Sequence, residues 1–178
     1  LGCFGRRVIN QPSKTVVVAG GAKVSDKINV LKQFVQAGVK AIFIGGKMAN
    51  TFLIAQKAKT KMIPFKLSDI PRTLLSSSEE NNQNLVNEVG LAGEILDFAN
   101  DKKVNLIFPD DYKCVNEFKA PTFFIEAEPD FEKVLQLDLG PKTIKNFKKT
   151  ILSNGIENVF WNGPLGAYDH PTSHAYAE

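Results

Sequence analysis

With 178 residues, 43% of them hydrophobic and 23% charged, the chain has the size and composition of one ordinary globular domain. Its 22 Lys and Arg against 19 Asp and Glu leave a net charge of +3, too small and too dispersed for a nucleic-acid-binding face. No apolar run reaches the ~20 residues that cross a bilayer, and the start has no secretory h-region, so no membrane partner and a cytoplasmic location are expected.

Thr15-Val16-Val17-Val18-Ala19 is β-branched, uninterrupted and stopped by Gly20-Gly21, the pattern of a strand buried on both faces. Val24, Ile28, Leu31, Phe34 and Val35 then recur at helical spacing, with Gly38 placed to end that helix. Ala41-Ile42-Phe43-Ile44 is a second strand, stopped by Gly45-Gly46, and residues 48–58 return to helical composition. Two strand–Gly-Gly–helix units thus recur 25 residues apart, the least a parallel crossover needs. Residues 61–78 hold two prolines and three consecutive serines and read as loop. Leu85, Val89, Ala92, Ile95, Leu96 and Ala99 make a helical stripe, and residues 104–108 a third buried strand, stopped by Pro109-Asp110-Asp111. The stretch 114–137 is the least regular, with strand-like pieces at 122–125 and 134–137. Pro141 suits the first turn of a helix carrying Ile144, Phe147 and Ile151. Asn158-Val159-Phe160-Trp161 is the last strand and ends in Asn162-Gly163-Pro164-Leu165-Gly166. This alternation predicts an α/β fold, a Rossmann-like doubly wound parallel sheet in three αβα layers, as a single domain over residues 1–178.

Ligands of open parallel sheets bind beyond the carboxyl ends of the strands, where each glycine turn falls. Glycine admits close backbone approach, and the helix N-terminus behind it adds partial positive charge, which together suit a phosphate. The familiar cradles are absent. For G-x-x-x-x-G-K-[ST], the first position before Gly46-Lys47 would be Ala41 and the last is Met48, and G-x-G-x-x-G occurs nowhere. A helix under way by Val24 would set Lys23 and Lys27 one turn apart at its positive end. An anion would turn their repulsion into two charge-assisted contacts; without one, both would point into water.

Gly20-Gly21-Ala22-Lys23-Val24-Ser25-Asp26-Lys27-Ile28 resembles the nucleotide-loop motif of phosphoglycerate kinases. Ile44-Gly45-Gly46-Lys47-Met48-Ala49-Asn50-Thr51-Phe52-Leu53 is similar to the family's second signature. Leu137-Asp138-Leu139-Gly140-Pro141-Lys142-Thr143-Ile144 and Trp161-Asn162-Gly163-Pro164-Leu165-Gly166 match two more, in the family's order. The resemblance implies reversible phosphoryl transfer between 1,3-bisphosphoglycerate and ADP, giving 3-phosphoglycerate and ATP in glycolysis, with Mg²⁺ accompanying ADP or ATP. It makes Lys23 the holder of the phosphoryl group in flight and Lys27 the ligand of the terminal phosphates. Asn162 would face the phosphates, Gly21, Ala22 and Gly46 would line the adenine and phosphate region, and Gly140 the base or ribose side.

Two positions depart from the family pattern. Lys47 stands where a third glycine is usual and is expected to point outward. Asp169 stands where a glutamate near the ribose hydroxyls is usual, one methylene shorter. The resemblance also puts a phosphoglycerate-binding domain before residue 1 and a glycine-rich segment with a Mg²⁺-ligating aspartate after residue 178. The chain is therefore expected to be a truncated nucleotide-binding domain, impaired in binding and without turnover by itself, phosphoglycerate requiring the missing N-terminal domain. The alternative is a non-catalytic nucleotide-binding fragment or remnant. His170 and His174 lack a third ligand and read as surface histidines, Asp110 and Asp111 as turn residues, Trp161 as core, and Cys3 and Cys114 as small buried thiols without metal spacing.

Overall fold

Side chains alternate across a strand, so a run apolar at every position needs cover on both faces. β1 (Thr15–Ala19) and β2 (Ala41–Ile44) are buried throughout and pair in parallel, Val16 beside Ala41 and Val18 beside Phe43. The computed structural model describes residues 10–60, 78–116, 122–126 and 134–167. In it, Val17, Ala19, Ile42 and Ile44 pack under three helices, α1 (Ile28–Ala37), α2 (Met48–Thr60) and α3 (Glu79–Lys102). Val16, Val18, Ala41 and Phe43 face the opposite side, where α4 (Pro141–Ile151) lays Phe147 on Phe43 at a ring separation of 4.2 Å. These are the three expected layers. Each fully buried Val, Ile, Leu or Phe contributes about 1.5–3 kcal/mol, so this double-sided core dominates the stability of the sheet.

β3 (Asn105–Ile107) adds in parallel to β2, and β7 (Asn158–Asn162) in parallel to β1, giving the order β3-β2-β1-β7. The chain winds outward from β1 through β2 to β3, then returns to β1's other side. That reversal is the topological switch point at which doubly wound folds leave a crevice.

Helix boundaries follow local chemistry. Gly38 caps the end of α1, and Ser78 caps α3 by accepting from the Asn81 N–H at 3.4 Å, with Glu79 and Glu80 in the first turn. α1 begins at Ile28 rather than Val24. Val24 is buried, but from a turn closed by Lys27 N–H donating to Val24 O at 2.9 Å, so its spacing to Ile28 only mimics helical periodicity.

A second sheet was not legible as such. β4 (Asp111–Val115) pairs antiparallel with β5 (Phe123–Glu126) and with β6 (Leu135–Leu139). Asp111 is thus no mere turn residue. Its buried carboxylate caps α4 from 31 residues away, accepting from Lys142 N–H at 2.9 Å and from Thr143 N–H and Oγ1–H at 2.7 Å each. In return, Thr143 Oγ1 accepts from the N–H groups of Asp110 (2.9 Å) and Asp111 (3.0 Å).

Trp161 corrects a second expectation. It is 59% exposed, its Nε1–H donating to Gly163 O at 2.9 Å. β7 pairs only with β1 among the described residues, and on its α4 side Val159 and Trp161 remain uncovered while Phe160 packs on Phe34 at 4.9 Å. Cys114 is a buried core thiol, its pKa pushed up to about 11 by burial, whereas Cys3, His170 and His174 lie outside the described residues.

Candidate functional site

The carboxyl ends of four parallel strands open onto one cavity of about 620 Å³. After β1 come Gly20, Gly21, Ala22, Lys23, Asp26 and Lys27; after β2, Gly46, Lys47 and Asn50; after β3, Pro109; after β7, Pro164, Leu165, Gly166 and Ala167. Tyr112 of β4 with Gln136, Leu137, Asp138 and Leu139 of β6 form the facing wall, so the second sheet turns an open crevice into a walled one.

The strand-end loops are stitched together by their backbones. Gly20 N–H donates to Asn162 O (2.9 Å), Gly45 N–H to Ala19 O (2.9 Å), Gly46 N–H to Leu165 O (3.1 Å), Met48 N–H to Gly21 O (3.0 Å) and Ala167 N–H to Leu137 O (2.8 Å). Such approach needs glycine. Gly46 holds φ +68, and a Cβ there would lie 2.7 Å from Gly21 O and 3.0 Å from Pro164 O.

Lys27 is the N-cap residue of α1, half-buried, with its ammonium hydrogen-bonded to Asn162 Oδ1 at the end of β7. That contact spans 135 residues of sequence. Lys23 sits in the loop before α1 and is exposed at the cavity's edge. The two lysines therefore are not neighbours on a helix, as the spacing suggested, yet they line the same cavity. With backbone N–H groups and a helix N-terminus behind them, they suit a polyanion.

Against these cations, Asp138 is a buried carboxyl whose pKa rises to about 6. Burial is the cause; the Leu139 N–H at 2.8 Å and the charge of Lys113, its partner on β4, pull the other way.

The Phosphoglycerate kinase family model matches residues 3–175. The chain belongs to the phosphoglycerate kinase family. It is 35% identical over 170 residues to the cytosolic phosphoglycerate kinase of Trypanosoma congolense, covering 93% of this chain and 35% of that protein. To the phosphoglycerate kinase of Lactobacillus delbrueckii subsp. lactis it is 36% identical over 171 residues, or 94% of this chain and 36% of the relative. Among solved structures, the phosphoglycerate kinase of Coxiella burnetii superposes with a TM-score of 0.72 at 24% identity, over 98% of this chain and 40% of that one, a likeness of fold. The chain spans little more than a third of the length of these curated relatives.

Of the residues that the family resemblance singled out, Gly21, Ala22, Lys23, Lys27 and Gly46 line the cavity, and Asn162 holds Lys27 at its edge. Gly140 does not line it. Its N–H donates to Asp111 O at 2.9 Å at the start of α4, and Leu137 and Gln136 stand in the wall instead. Lys47 is exposed, as expected, but at the cavity rim. Asp169 lies outside the described residues. Sequence reasoning quoted Leu137 and Asp138 within a family motif without giving them a place in the site, and missed Tyr112 and Gln136; the alternation of apolar and polar residues along β6 was a further local signal.

Proposed function

We propose that this chain carries the nucleotide-binding part of a phosphoglycerate kinase, a cytoplasmic glycolytic phosphotransferase. The reaction is reversible transfer of the carboxyl-bound phosphoryl group of 1,3-bisphosphoglycerate to ADP, giving 3-phosphoglycerate and ATP. The observation that carries this reading is convergence: loops after β1, β2 and β7, with Lys23 and Lys27, line a single cavity. A nucleotide would lie with its phosphates toward the lysines and its base against Pro109, Leu137 and Leu165.

In this reading the P–O bond to the acyl oxygen breaks as one forms to a β-phosphate oxygen of ADP. No covalent bond to the protein is needed, and placement and charge neutralisation supply the catalysis. Lys27, held by Asn162, binds the terminal phosphates from a fixed position. Lys23, on an exposed loop, follows the phosphoryl group between donor and acceptor, a task for a compact charge on a flexible stem. Lys27 is thus the fixed point and Lys23 the moving one. In this reading magnesium is carried in on the nucleotide's phosphates. There it would offset phosphate charge.

Phosphoglycerate binding is assigned to the rest of a longer protein, and the chain alone is expected to bind Mg-ADP without turnover. Calorimetric titration with Mg-ADP, repeated on Lys27→Ala, tests the binding half. The variant should bind about 10- to 100-fold more weakly, the loss of one charged hydrogen bond. Equal affinities would reject the assignment of Lys27. A coupled ATP assay giving rates like an intact enzyme's would reject the second half and with it the non-catalytic alternative.

A further inference from the structure

Asn50 stands in the first turn of α2, where its backbone N–H already donates to Lys47 O at 3.2 Å. Its side chain lines the cavity yet is only 5% exposed, and its Oδ1 has no hydrogen-bond partner. A buried amide oxygen without a donor destabilises a fold, so one kept at a cavity wall points to a donor that arrives with a ligand. Asn50 and Pro109 line the same cavity, in which the proposed nucleotide lays its base against Pro109.

We propose that Asn50 is a specificity-determining residue that reads the 6-amino group of adenine through its side-chain amide. This rests on the cavity being a nucleotide site. Phosphate oxygens are acceptors and cannot satisfy Oδ1, whereas the amino group of adenine is a donor beside a ring-nitrogen acceptor. On the edge of the base that carries N7, a side-chain amide matches that pair with one acceptor and one donor, whereas hypoxanthine, with oxygen beside N7, offers acceptors only on that edge.

The test is calorimetric titration of the 178-residue chain with Mg-ADP and Mg-IDP, which share ribose and phosphates and differ in the base at C6 and the adjoining N1, repeated on Asn50→Leu. The wild-type chain should bind Mg-ADP about 10-fold more tightly than Mg-IDP, and Asn50→Leu should bring the ratio below about 3 by weakening ADP alone. Because leucine removes the unpaired oxygen at similar volume, the variant's Tm should be no lower than the wild type's, which separates lost recognition from lost folding. Equal wild-type affinities for the two nucleotides would overturn the proposal without needing any variant, while leaving the nucleotide site standing. A preference for ADP that survives in Asn50→Leu would also overturn it. Failure of both nucleotides to bind would instead remove the nucleotide reading itself, and this inference with it.

Discussion

Gly20→Ala should be among the most damaging single-methyl additions to this chain. A Cβ at Gly20 would overlap the carbonyl oxygen of Pro164, stand 2.5 Å from its carbonyl carbon and 3.0 Å from Gly163 O. Carbon contacts are comfortable at about 3.5 Å, so the β1 and β7 loops would have to part by about 1–1.5 Å. The obstructing atoms are backbone, so no rotamer change relieves the clash. Parting them also loosens the bond from Gly20 N–H to Asn162 O. Overpacking costs about 1–3 kcal/mol and a buried polar group left unpaired about 1–3 kcal/mol, so the sum is roughly 2–6 kcal/mol. Gly90→Ala is the matched control. It lies exposed within α3 with nothing within 4 Å of a built Cβ, and alanine there should stabilise by about 0.5–1 kcal/mol. Urea denaturation of both variants, read as a midpoint change at constant m, is the assay. A Gly20→Ala chain as stable as wild type would refute the close seam between the two loops.

Two further predictions follow from the same geometry. Asp111→Ala removes the cap of α4 and strands the N–H groups of Lys142 and buried Thr143, and should cost about 2–4 kcal/mol in urea denaturation; a loss below ~1 kcal/mol would contradict the capping role. Asp138 is raised from the ordinary 3.8 to about 6, so between these values the folded chain holds a proton that the unfolded chain releases. Its contribution to stability therefore falls as pH rises through that window and stays low above it. Asp138→Asn should match wild type near pH 4 and exceed it at pH 8, by at most about 3 kcal/mol; the opposite trend in thermal or urea midpoints would show the carboxylate to be stabilised by its surroundings.

The parallel core was readable because β1 and β2 are continuous apolar runs cut by glycine pairs, a pattern that leaves few alternatives to a doubly covered strand. The cavity's position followed from the same punctuation. What failed had causes outside the local window. β4 begins with Asp111, whose burial depends on a helix N-terminus 31 residues later, so Pro109-Asp110-Asp111 looked only like a turn. Trp161 reads as core by type and by strand, but β7's α4-side face is uncovered among the described residues, and no property of the tryptophan reveals that. The start of α1 was misplaced because a buried Val24 four residues before Ile28 imitates a helical stripe. Lys23 and Lys27 illustrate both sides: the chemistry of the pair was legible, whereas the anchor of Lys27, Asn162, is brought to it only by the pairing of β1 with β7.

The central claim is that the strand-end loops and both lysines meet a single nucleotide polyphosphate. Backbone amide NMR of the chain with Mn²⁺ carried on ADP measures this, because the paramagnetic ion broadens nearby resonances most. Broadening greatest in the loops at residues 20–27, 46–47 and 163–167 is the predicted result. Broadening centred on the exposed lysines of α4, Lys142, Lys145, Lys148 and Lys149, would mean that the nucleotide is held by surface charge elsewhere, and would contradict it.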